Sequence, residues 1–402
     1  MSCLIPTVAS SPVAEELRQI PQADPLYASR FVDTLLAAAT ASGASDLHLQ
    51  PEPGGIEVAW RLDGVLQKLG RFSRGQIADV VTRMKVLADL LTYRTDIPQE
   101  GRLRGQWSSI EMRVSTFPTL HGERAVVRLF SAANQLLYPE DLNLAMEDCA
   151  AWLRRLRDDF GVLVVSGPAG SGKTTTAYAS VRQLLRDAGG TRSVLSIEDP
   201  IEVPIPGVAQ AEVNPAAGFD LALALRSALR QDPEVLLVGE IRDPSIAAGV
   251  FNAALTGHLV ITTFHAGSAA QALARLAEMA IEPYLLQSAL RGILNQRLVR
   301  RLCHCAEDLL DPAQHLGLPI TRAKGPVGCR DCQQTGFRGR ALLSEFLPCE
   351  IPSLRAAVGN KPPCEYLEQI AREAGMIPLS VRGIQLVESG ITSPAELRRT
   401  SC

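Results

Sequence analysis

No stretch of this 402-residue sequence is apolar over the ~20 residues that a membrane-spanning helix requires. The first residues, MSCLIPTVASSPVAEELR, contain no basic residue before their short apolar stretch, so we expect no secretory signal peptide. The nine cysteines are an odd number, and most are scattered along the chain. We therefore expect a cytoplasmic protein with reduced thiols rather than a disulfide framework.

An excess of positive charge is also missing. The formal net charge is −3, and no Lys/Arg-rich stripe is interleaved with aromatic residues. Such a chain has no bulk attraction to nucleic acid, so we expect no nucleic-acid partner. Internal repeats and low-complexity tracts are lacking as well. With 46% hydrophobic and 21% charged residues, the composition is that of a soluble globular protein of two or three domains.

The hydrophobic pattern changes along the chain. From residue 161 onward, short continuous apolar runs alternate with helical stretches. This alternation is typical of parallel strands buried on both faces, with helices as crossovers, and it predicts an α/β core. The predicted segments are a flexible N-terminal arm (1–24), a small α+β domain (25–130), a linker (131–149), the α/β core (150–300), a region with two cysteine pairs (301–345) and a C-terminal helical region (346–402).

The segment GPAGSGKT has the GxxxxGK[ST] pattern of a phosphate-binding loop and follows an apolar run. Glycines allow backbone N–H groups to curl around phosphate oxygens at a helix N-terminus. We expect Lys173 to reach the β- and γ-phosphates of ATP and the Thr174 hydroxyl to ligate Mg²⁺. The predicted nucleotide-binding residues are Gly167, Pro168, Ala169, Gly170, Ser171, Gly172, Lys173, Thr174 and Thr175.

Acidic residues follow two further apolar runs. Glu240 and Asp243 come after EVLLV, and Glu198, Asp199 and Glu202 come after SVLSI. Ligands of an open α/β sheet gather at the carboxyl ends of strands. These carboxylates are therefore candidates for holding the water shell of Mg²⁺ or for orienting the attacking water. Glu240 and Glu198 both remain candidates for the general base.

Two of the six histidines lie at the two ends of one apolar run. His258 precedes LVITTF, and His265 follows it. Their position beside a predicted buried strand favours a role in sensing the γ-phosphate or in coupling. A structural role for either imidazole is the alternative.

Four motifs in this order, GPAGSGKTTT, IEDPIE, LRQDPEVLLVGEIRD and TGHLVITTFHA, resemble the Walker A, aspartate-box, Walker B and histidine-box motifs of the secretion ATPase superfamily. This superfamily comprises the motors of type II secretion, type IV pili and related systems. The upstream ASDLHLQP and RVSTFPTLHGERAVVRL and the downstream QRLVRRLC and GCRDCQQTGFRGR are similar to it too. The resemblance implies a RecA-like P-loop NTPase core preceded by a PAS-like domain.

The resemblance also implies a function and partners. It implies a cytoplasmic homohexamer that hydrolyses ATP to assemble a type II secretion pseudopilus or a type IV pilus. Platform proteins of the inner membrane would be its partners, so its membrane association would be peripheral. By position, Glu240 becomes the leading catalytic acid, Glu198, Asp199 and Glu202 support water or magnesium, and His265 and His258 are the histidine-box residues. The arginines implied to approach the phosphates are Arg113, Arg124 and Arg128.

Export motors of the superfamily carry two CxxC pairs downstream of the core. This chain has Cys303-His-Cys305 and Cys329-Arg-Asp-Cys332 at the corresponding places. Four thiolates around tetrahedral Zn²⁺ would form a closed structural site. The first pair is one residue short. Replacement of one ligand by His304, or four reduced thiols without metal, are therefore the alternatives.

Other functions share parts of this pattern. A pilus retraction motor would have the same nucleotide motifs, but such motors lack the paired cysteines. A RecA-like nucleic-acid motor is disfavoured by the charge, and a transporter-type ATPase would need a signature such as LSGGQ where this chain has LALALRSALRQDPE. A degenerate nucleotide-binding scaffold would be expected to have lost Lys173, Thr174 or Glu240.

Overall fold

The computed structural model describes residues 12–76, 79–105, 110–130, 136–279, 281–359 and 363–401. These residues form two compact units. The first unit contains the described residues up to 130 together with 329–334, and the second contains all the others. Among the described residues, no helix combines the length and the apolar surface needed to cross a bilayer.

The first unit is built from three helices and six strands. The helices are α1 (Pro12–Gln19), α2 (Tyr27–Ala41) and α3 (Val80–Leu87). The strands are β1 (Asp46–Glu52), β2 (Gly55–Leu62), β3 (Val65–Phe72), β4 (Gln99–Arg102), β5 (Glu111–Thr119) and β6 (Gly122–Phe130). They form one antiparallel sheet in the order β3-β2-β1-β6-β5-β4.

One face of this sheet packs against the helices, and the other face is polar. Along β6 the residues alternate, so that Ala125, Val127 and Leu129 are buried, whereas Arg124 and Arg128 lie on the other side. The core of the unit contains the buried side chains of α1, α2 and α3 as well as those of the strands. This alternation is the pattern of a strand that has one buried face.

The predicted flexible arm is ordered over part of its length. Residues 12–19 form α1, and Leu17, which is 1% exposed, packs into the core of the first unit. Burying one leucine stabilises a fold by about 2 kcal/mol, enough to hold a short helix against a neighbour. Residues 1–11 of the predicted arm lie outside the described residues.

The second unit has ten helices among its described residues, and nine strands. The helices are α4 (Met146–Arg155), α5 (Lys173–Asp187), α6 (Leu221–Ala228), α7 (Pro244–Leu255), α8 (Ala269–Glu278), α9 (Pro283–Ala289), α10 (Pro352–Val358), α11 (Cys364–Glu373), α12 (Leu379–Glu388) and α13 (Pro394–Ser401). The strands are β7 (Gly161–Ser166), β8 (Val194–Glu198), β9 (Ala209–Glu212), β10 (Val235–Val238), β11 (Leu259–Phe264), β12 (Leu290–Leu302), β13 (Glu307–Asp308), β14 (Lys324–Gly325) and β15 (Phe337–Pro348).

Seven of these strands form the central sheet, in the order β15-β12-β7-β11-β10-β8-β9. All neighbours are parallel except β15, which pairs antiparallel with β12. The strands β7, β10 and β11 are buried along their whole length. A mixed α/β fold with a parallel sheet is thereby confirmed, because the continuous apolar runs indeed form strands that are covered on both faces.

The central sheet extends beyond the predicted core. The boundary predicted at residue 300 falls inside β12, and the region predicted to be helical from 346 begins inside β15. The sequence did not show these strands, because β12 buries the polar side chains of Asn295 and Gln296 and ends in arginines. Part of the predicted linker also has regular structure, since α4 begins at Met146 and a short 3₁₀ turn spans Pro139–Leu142; residues 131–135 lie outside the described residues.

Candidate active site

The glycine-rich loop, residues 167–174, connects β7 to α5. Gly167 has a φ of 152°, and a Cβ atom there would lie 2.4 Å from the carbonyl oxygen of Gln296 and 2.5 Å from Ser171 Oγ. Only glycine fits this conformation and this space. The loop therefore has the strand–glycine turn–helix arrangement in which backbone N–H groups and a helix N-terminus face an anion.

Gln296 of β12 forms hydrogen bonds that hold this loop in place. Its side-chain amide donates to the carbonyl oxygen of Ser171 (2.7 Å) and accepts from the hydroxyl of Thr176 (2.9 Å), and the residue is fully buried. One buried polar side chain thus binds both the second half of the loop and the first turn of α5. Gln296 was not predicted, although a polar pair inside an otherwise apolar stretch was a visible signal.

Lys173 lies over the glycine-rich loop. Its ammonium donates to the carbonyl oxygens of Gly167 (3.1 Å) and Pro168 (2.9 Å). Burial lowers the pKa of Lys173, whereas the negative charges of Glu240 and Glu202 oppose that shift. This partly buried cation is placed at the mouth of the loop, where it can pair with a phosphate group.

Glu240 projects from the carboxyl end of β10, and the backbone around it is held firmly. The N–H of Gly239 donates to the carbonyl oxygen of Ile197 (2.9 Å), and the N–H of Ile241 donates to that of Thr263 (3.1 Å). The Thr263 hydroxyl also donates to the carbonyl oxygen of Gly239 (2.6 Å). Glu240 is therefore presented by a segment bound to both neighbouring strands.

The carboxylate of Glu240 lies between two basic side chains. His265 Nε2 is 3.1 Å from Glu240 Oε1, and Arg242 Nε donates to Glu240 Oε2 at 3.2 Å. Arg242 also pairs with Asp199, with 3.0 Å between Nη1 and Oδ2. The side chain of Glu240 is 24% exposed, so a water molecule can reach it. Arg242 was not predicted; its place between the two acids of GEIRD was the only signal for it.

Glu198, the other candidate base, is placed differently. It is only 4% exposed. One carboxylate oxygen accepts from Ser196 Oγ (2.6 Å) and from Gln210 Nε2 (3.0 Å), and the other accepts from the hydroxyl of Tyr178. Three donors thus occupy this buried carboxylate, which leaves it poorly placed to activate water. Tyr178 was not predicted, because an apolar ring in a helix is normally a core residue.

Glu202 faces the first turn of α5. The hydroxyl of Thr174 donates to Glu202 Oε1 at 3.2 Å. A hydroxyl and a carboxylate side by side next to a phosphate loop are oxygen donors of the kind that Mg²⁺ prefers. Thr174 and Glu202 are consequently residues able to hold a magnesium ion and its water shell.

A cavity of about 590 Å³ contains Lys173, Thr174, Glu202, Glu240 and His265 in its wall. Six carboxylates and three basic side chains line it. The carboxylates are Glu198, Asp199, Glu202, Asp220, Glu240 and Asp243, and the basic groups are Lys173, Arg242 and His265. A polyphosphate would be repelled from such a wall unless a divalent cation or further basic groups came with it. The charge of the cavity therefore fits a magnesium–nucleotide complex better than a free anion.

One predicted residue, His258, lies away from this chemistry. His258 precedes β11, at the opposite edge of the sheet from His265, and its Nδ1 is 2.8 Å from the carbonyl oxygen of Ala253. His258 is therefore separated from His265 by the length of the strand, and a strand of six residues spans about 20 Å. The Asp243 carboxylate caps α7 and accepts from the N–H groups of Ser245 and Ile246.

The three predicted arginines share one face of the first unit's sheet. Arg113 of β5 lies directly opposite Arg128 of β6, and Arg124 is on the same side of β6. Arg113 pairs with Glu111 (Nε–Oε1, 3.0 Å) and Arg128 pairs with Asp46 (Nε–Oδ1, 3.1 Å). Arg124 Nη2 lies 3.2 Å from His48 Nδ1. Their guanidinium groups thus belong to a surface network of charged side chains.

The cysteines of the second pair are turned toward each other. Cys329 Sγ and Cys332 Sγ are 3.7 Å apart, and the N–H of Cys329 donates to Cys332 Sγ at 3.1 Å. Two thiolates on one tetrahedral Zn²⁺, with bonds of about 2.3 Å, would be separated by about 3.8 Å. In the first pair, Cys303 is buried and Cys305 is half-buried. Cys329 and Cys332 are therefore a pair of thiols spaced as two ligands of one metal ion.

Comparison with known proteins identifies the family. The family model described as "Type II/IV secretion system protein" matches residues 22–399. This chain belongs to that family. The recognition made from the four motifs is thereby confirmed.

The sequence is also similar to individual proteins of known name. The chain is 37% identical to the type IV pilus assembly ATPase PilB of Thermus thermophilus, over 97% of this chain and 44% of that protein. It is 36% identical to the type IV pilus assembly ATPase TfpB of Acinetobacter baylyi, over 95% and 66% of the two chains. It is 37% identical to the putative type II secretion system protein E of Escherichia coli, over 97% and 80%. The chain therefore spans less than two thirds of the first two relatives.

Solved structures share the fold. The ATPase DotB of Legionella pneumophila superposes with a TM-score of 0.66 at 19% identity, covering 92% of this chain and 95% of that chain. The pilus retraction motor PilT with bound ADP superposes with a TM-score of 0.61 at 23% identity, covering 91% and 96%. At these identities the likeness concerns the fold alone.

Proposed function

We propose that this protein hydrolyses ATP and couples the hydrolysis to the assembly of a type II secretion pseudopilus or a type IV pilus. The observation that carries the proposal is the cavity in which the glycine-rich loop, Lys173, the Thr174–Glu202 pair and the Glu240–His265 pair meet. The names of the relatives, which are pilus assembly ATPases and type II secretion proteins, support the same conclusion.

In this proposal the second unit is a RecA-like core and the first unit is the PAS-like domain that precedes it. The parallel sheet, with the glycine-rich loop after β7 and Glu240 after β10, supports the first assignment. The antiparallel sheet with helices on one face supports the second.

Glu240 acts as the general base that takes a proton from the attacking water. Its side chain is 24% exposed, whereas Glu198 is buried and three donors occupy its carboxylate. His265 orients the Glu240 carboxylate from 3.1 Å, and Lys173 holds the β- and γ-phosphates. A general base contributes about 10²–10⁴-fold to such a rate.

Thr174 and Glu202 are the residues that would hold magnesium and its water shell. Bound Mg²⁺ neutralises charge on the β- and γ-phosphates. The excess of carboxylates in the cavity wall requires such neutralisation.

The same excess of negative charge suggests where more basic groups come from. The basic groups of the cavity wall, Lys173, Arg242 and His265, are fewer than its six carboxylates. Arg113, Arg124 and Arg128 would supply the missing charge to the nucleotide in a homohexamer. Such a ring would work in the cytoplasm and bind the inner-membrane platform proteins of its system.

The proposal is tested by phosphate release from purified protein in the presence of ATP and Mg²⁺. We expect the wild type to release phosphate and Lys173→Ala to release almost none, because the variant lacks the cation that binds the phosphates. Lys68→Ala, which removes an exposed lysine of the first unit, should behave as the wild type. Equal release by wild type and Lys173→Ala would refute catalysis at this cavity.

We also propose that Cys303, Cys305, Cys329 and Cys332 hold a structural zinc ion, which supports pilus or pseudopilus assembly over retraction. The 3.7 Å separation of Cys329 Sγ and Cys332 Sγ, close to that of two thiolates on one ion, supports this. Metal analysis of the purified protein should find about one zinc per chain. Cys329→Ser should lose it, whereas Cys149→Ser should keep it; a wild type without zinc would remove the site.

A further inference from the structure

Tyr178 occupies an unusual position for a core aromatic residue. Its ring is 4% exposed and packs in the hydrophobic cluster between α5 and the central sheet. Its hydroxyl, however, lies in the wall of the cavity that holds Lys173 and Glu202. Burial raises the pKa of Tyr178, and the hydrogen bond to Glu198 raises it further, so the hydroxyl keeps its proton and remains a donor.

The carboxylate of Glu198 accepts the hydrogen bond from Tyr178 and is itself held in place. The hydroxyl of Tyr178 donates to Glu198 Oε2, while Ser196 Oγ (2.6 Å) and Gln210 Nε2 (3.0 Å) donate to Glu198 Oε1. Glu198 ends β8, so its own backbone belongs to the sheet. A carboxylate held by three donors on a strand gives the tyrosine hydroxyl a defined place.

Hydrogen bonds connect the segment after β8 to the carboxylate of Glu198. The backbone N–H of Glu202 donates to the Tyr178 hydroxyl oxygen at 3.2 Å. Gln210, which also binds Glu198, donates to the carbonyl oxygen of Val203 (3.2 Å) and accepts from the N–H of Ile205 (2.6 Å). The loop that carries Glu202 is therefore attached to Glu198 through two side chains, and Tyr178 is the one that binds Glu202 itself.

The side chain of Glu202 contacts Thr174 of α5. Its Oε1 accepts from the hydroxyl of Thr174 at 3.2 Å, and Thr174 follows Lys173 in the first turn of α5. Tyr178 lies in the same helix. One helix thus presents both the hydroxyl that would bind the metal and the hydroxyl that holds the backbone of the neighbouring carboxylate.

We propose that Tyr178 is a positioning residue of the magnesium site: its hydroxyl links Glu198 to the backbone of Glu202 and thereby sets the place of the Glu202 carboxylate beside Thr174. Glu198 then serves as an anchor and not as a base. The inference rests on the proposed function for the identity of the ligand, a metal–nucleotide complex. Residues that orient the groups around a metal typically change metal affinity by about 10–100-fold when they are removed.

The test measures metal binding without turnover. Mn²⁺, a spectroscopic substitute for Mg²⁺, is titrated into the full chain with a saturating non-hydrolysable ATP analogue, and free Mn²⁺ is followed by electron paramagnetic resonance. We expect Tyr178→Phe to weaken Mn²⁺ binding about 10–100-fold. Binding of the analogue in the presence of a chelator should equal that of the wild type, because the glycine-rich loop and Lys173 are intact. Tyr366→Phe, at an exposed tyrosine, is the matched control and should leave Mn²⁺ binding unchanged.

Two further variants separate positioning from general stability. Glu202→Gln should weaken Mn²⁺ binding, and adding Tyr178→Phe to it should cause no further loss, because both changes act on one carboxylate. Tyr178→Phe/Glu198→Gln, which avoids leaving a buried carboxylate short of a donor, should fold and show the same loss as Tyr178→Phe.

The outcomes are distinct. Wild-type Mn²⁺ affinity in Tyr178→Phe, or additive losses in the variant that also carries Glu202→Gln, would overturn the inference while leaving the proposed function intact. A wild type that binds neither the analogue nor Mn²⁺ in its presence would instead overturn the proposed function.

Discussion

The two units of this protein both carry a row of charged side chains on a sheet, but they arrange them differently. In the first unit the charges lie on the face of antiparallel strands and are paired there, as Asp46 is with Arg61 and Arg128. In the second unit the acidic residues stand just beyond parallel strands and surround a cavity. Parallel strands send all their carboxyl ends to one edge, whereas antiparallel strands alternate their ends. A concentrated site is therefore expected in the second unit.

The two arrangements also differ in how the charge is balanced. The first unit even buries an ion pair, Lys85 and Glu123, whose side chains are 0% and 6% exposed. The cavity of the second unit leaves carboxylates in excess over basic groups. Balanced pairs suit stability, and an unbalanced cavity suits binding of a charged ligand. Three experiments bear on this contrast.

The strongest effect is expected at the carboxyl edge of the parallel sheet. Glu240→Gln should lower kcat for ATP hydrolysis about 10²–10⁴-fold with little change in nucleotide affinity, because it removes the base but not the phosphate contacts. Steady-state kinetics and nucleotide binding measure the two quantities. Glu234→Gln is the control, since Glu234 precedes the same strand, β10, at the opposite edge. If both variants lost activity equally, the position at the strand end would not matter.

A second experiment concerns the buried pair of the first unit. Lys85 Nζ donates to both carboxylate oxygens of Glu123 (2.8 and 2.9 Å) and to the carbonyl oxygen of Arg94 (2.7 Å). Glu123→Gln leaves a buried ammonium without its counter-charge and should lower the free energy of opening of α3 and β6 by about 3–5 kcal/mol. Hydrogen exchange in the full chain measures this local free energy.

The control for that experiment is Glu57→Gln, the same change at an ion pair on the surface of the same sheet, where Glu57 meets Lys68. Exchange in α3 and β6 should remain as in the wild type. If both variants accelerated exchange to the same extent, the burial of the Lys85–Glu123 pair would not explain its effect on the stability of the first unit.

The smallest effect is a pH dependence in the first unit. Burial lowers the pKa of His48, and the positive charges of Arg124, Arg61 and Arg128 lower it further, whereas Asp46 opposes them. The unfolded chain then binds more protons than the folded one below pH ~6.5, the ordinary histidine value. The free energy of opening of the first unit should therefore fall as pH decreases from about 6.5 to the lower folded pKa.

Hydrogen exchange of β1 and β6, corrected for the intrinsic effect of pH, would report this fall. His48→Asn should flatten the dependence, and His121→Asn, at an exposed histidine of the same unit, should leave it as in the wild type. An identical pH dependence in all three proteins would show that His48 does not titrate differently on folding.

Much of the second unit follows from local patterns. The glycine-rich loop and the acidic groups after SVLSI and EVLLV were predicted at strand ends, and the structure has them after β7, β8 and β10. The pattern could not distinguish Glu240 from Glu198, since both follow apolar strands. Their difference depends on Tyr178, Ser196 and Gln210, which occupy the Glu198 carboxylate. The packing of the fold decides which side chains contact Glu198, and the residues next to it in the sequence do not.

Other parts were missed for related reasons. The strand β12 was not predicted because its polar residues conceal the apolar pattern, although Gln296 is buried there to hold the glycine-rich loop. His258 was grouped with His265 because both flank one strand. The two histidines are nevertheless far apart, because they lie at opposite ends of that strand.

By itself, the sequence determined the family, the glycine-rich loop with Lys173 and Thr174, and the set of acids from which a base must come, because these depend on residue types at short spacings. The tertiary structure alone decided which carboxylate is accessible, which basic groups face it, and that a core tyrosine reaches into the cavity. These depend on distances between residues far apart in the chain, as with Tyr178 and Glu198 or Gln296 and Ser171. Only the packing of the sheet against its helices brings such atoms within hydrogen-bonding distance.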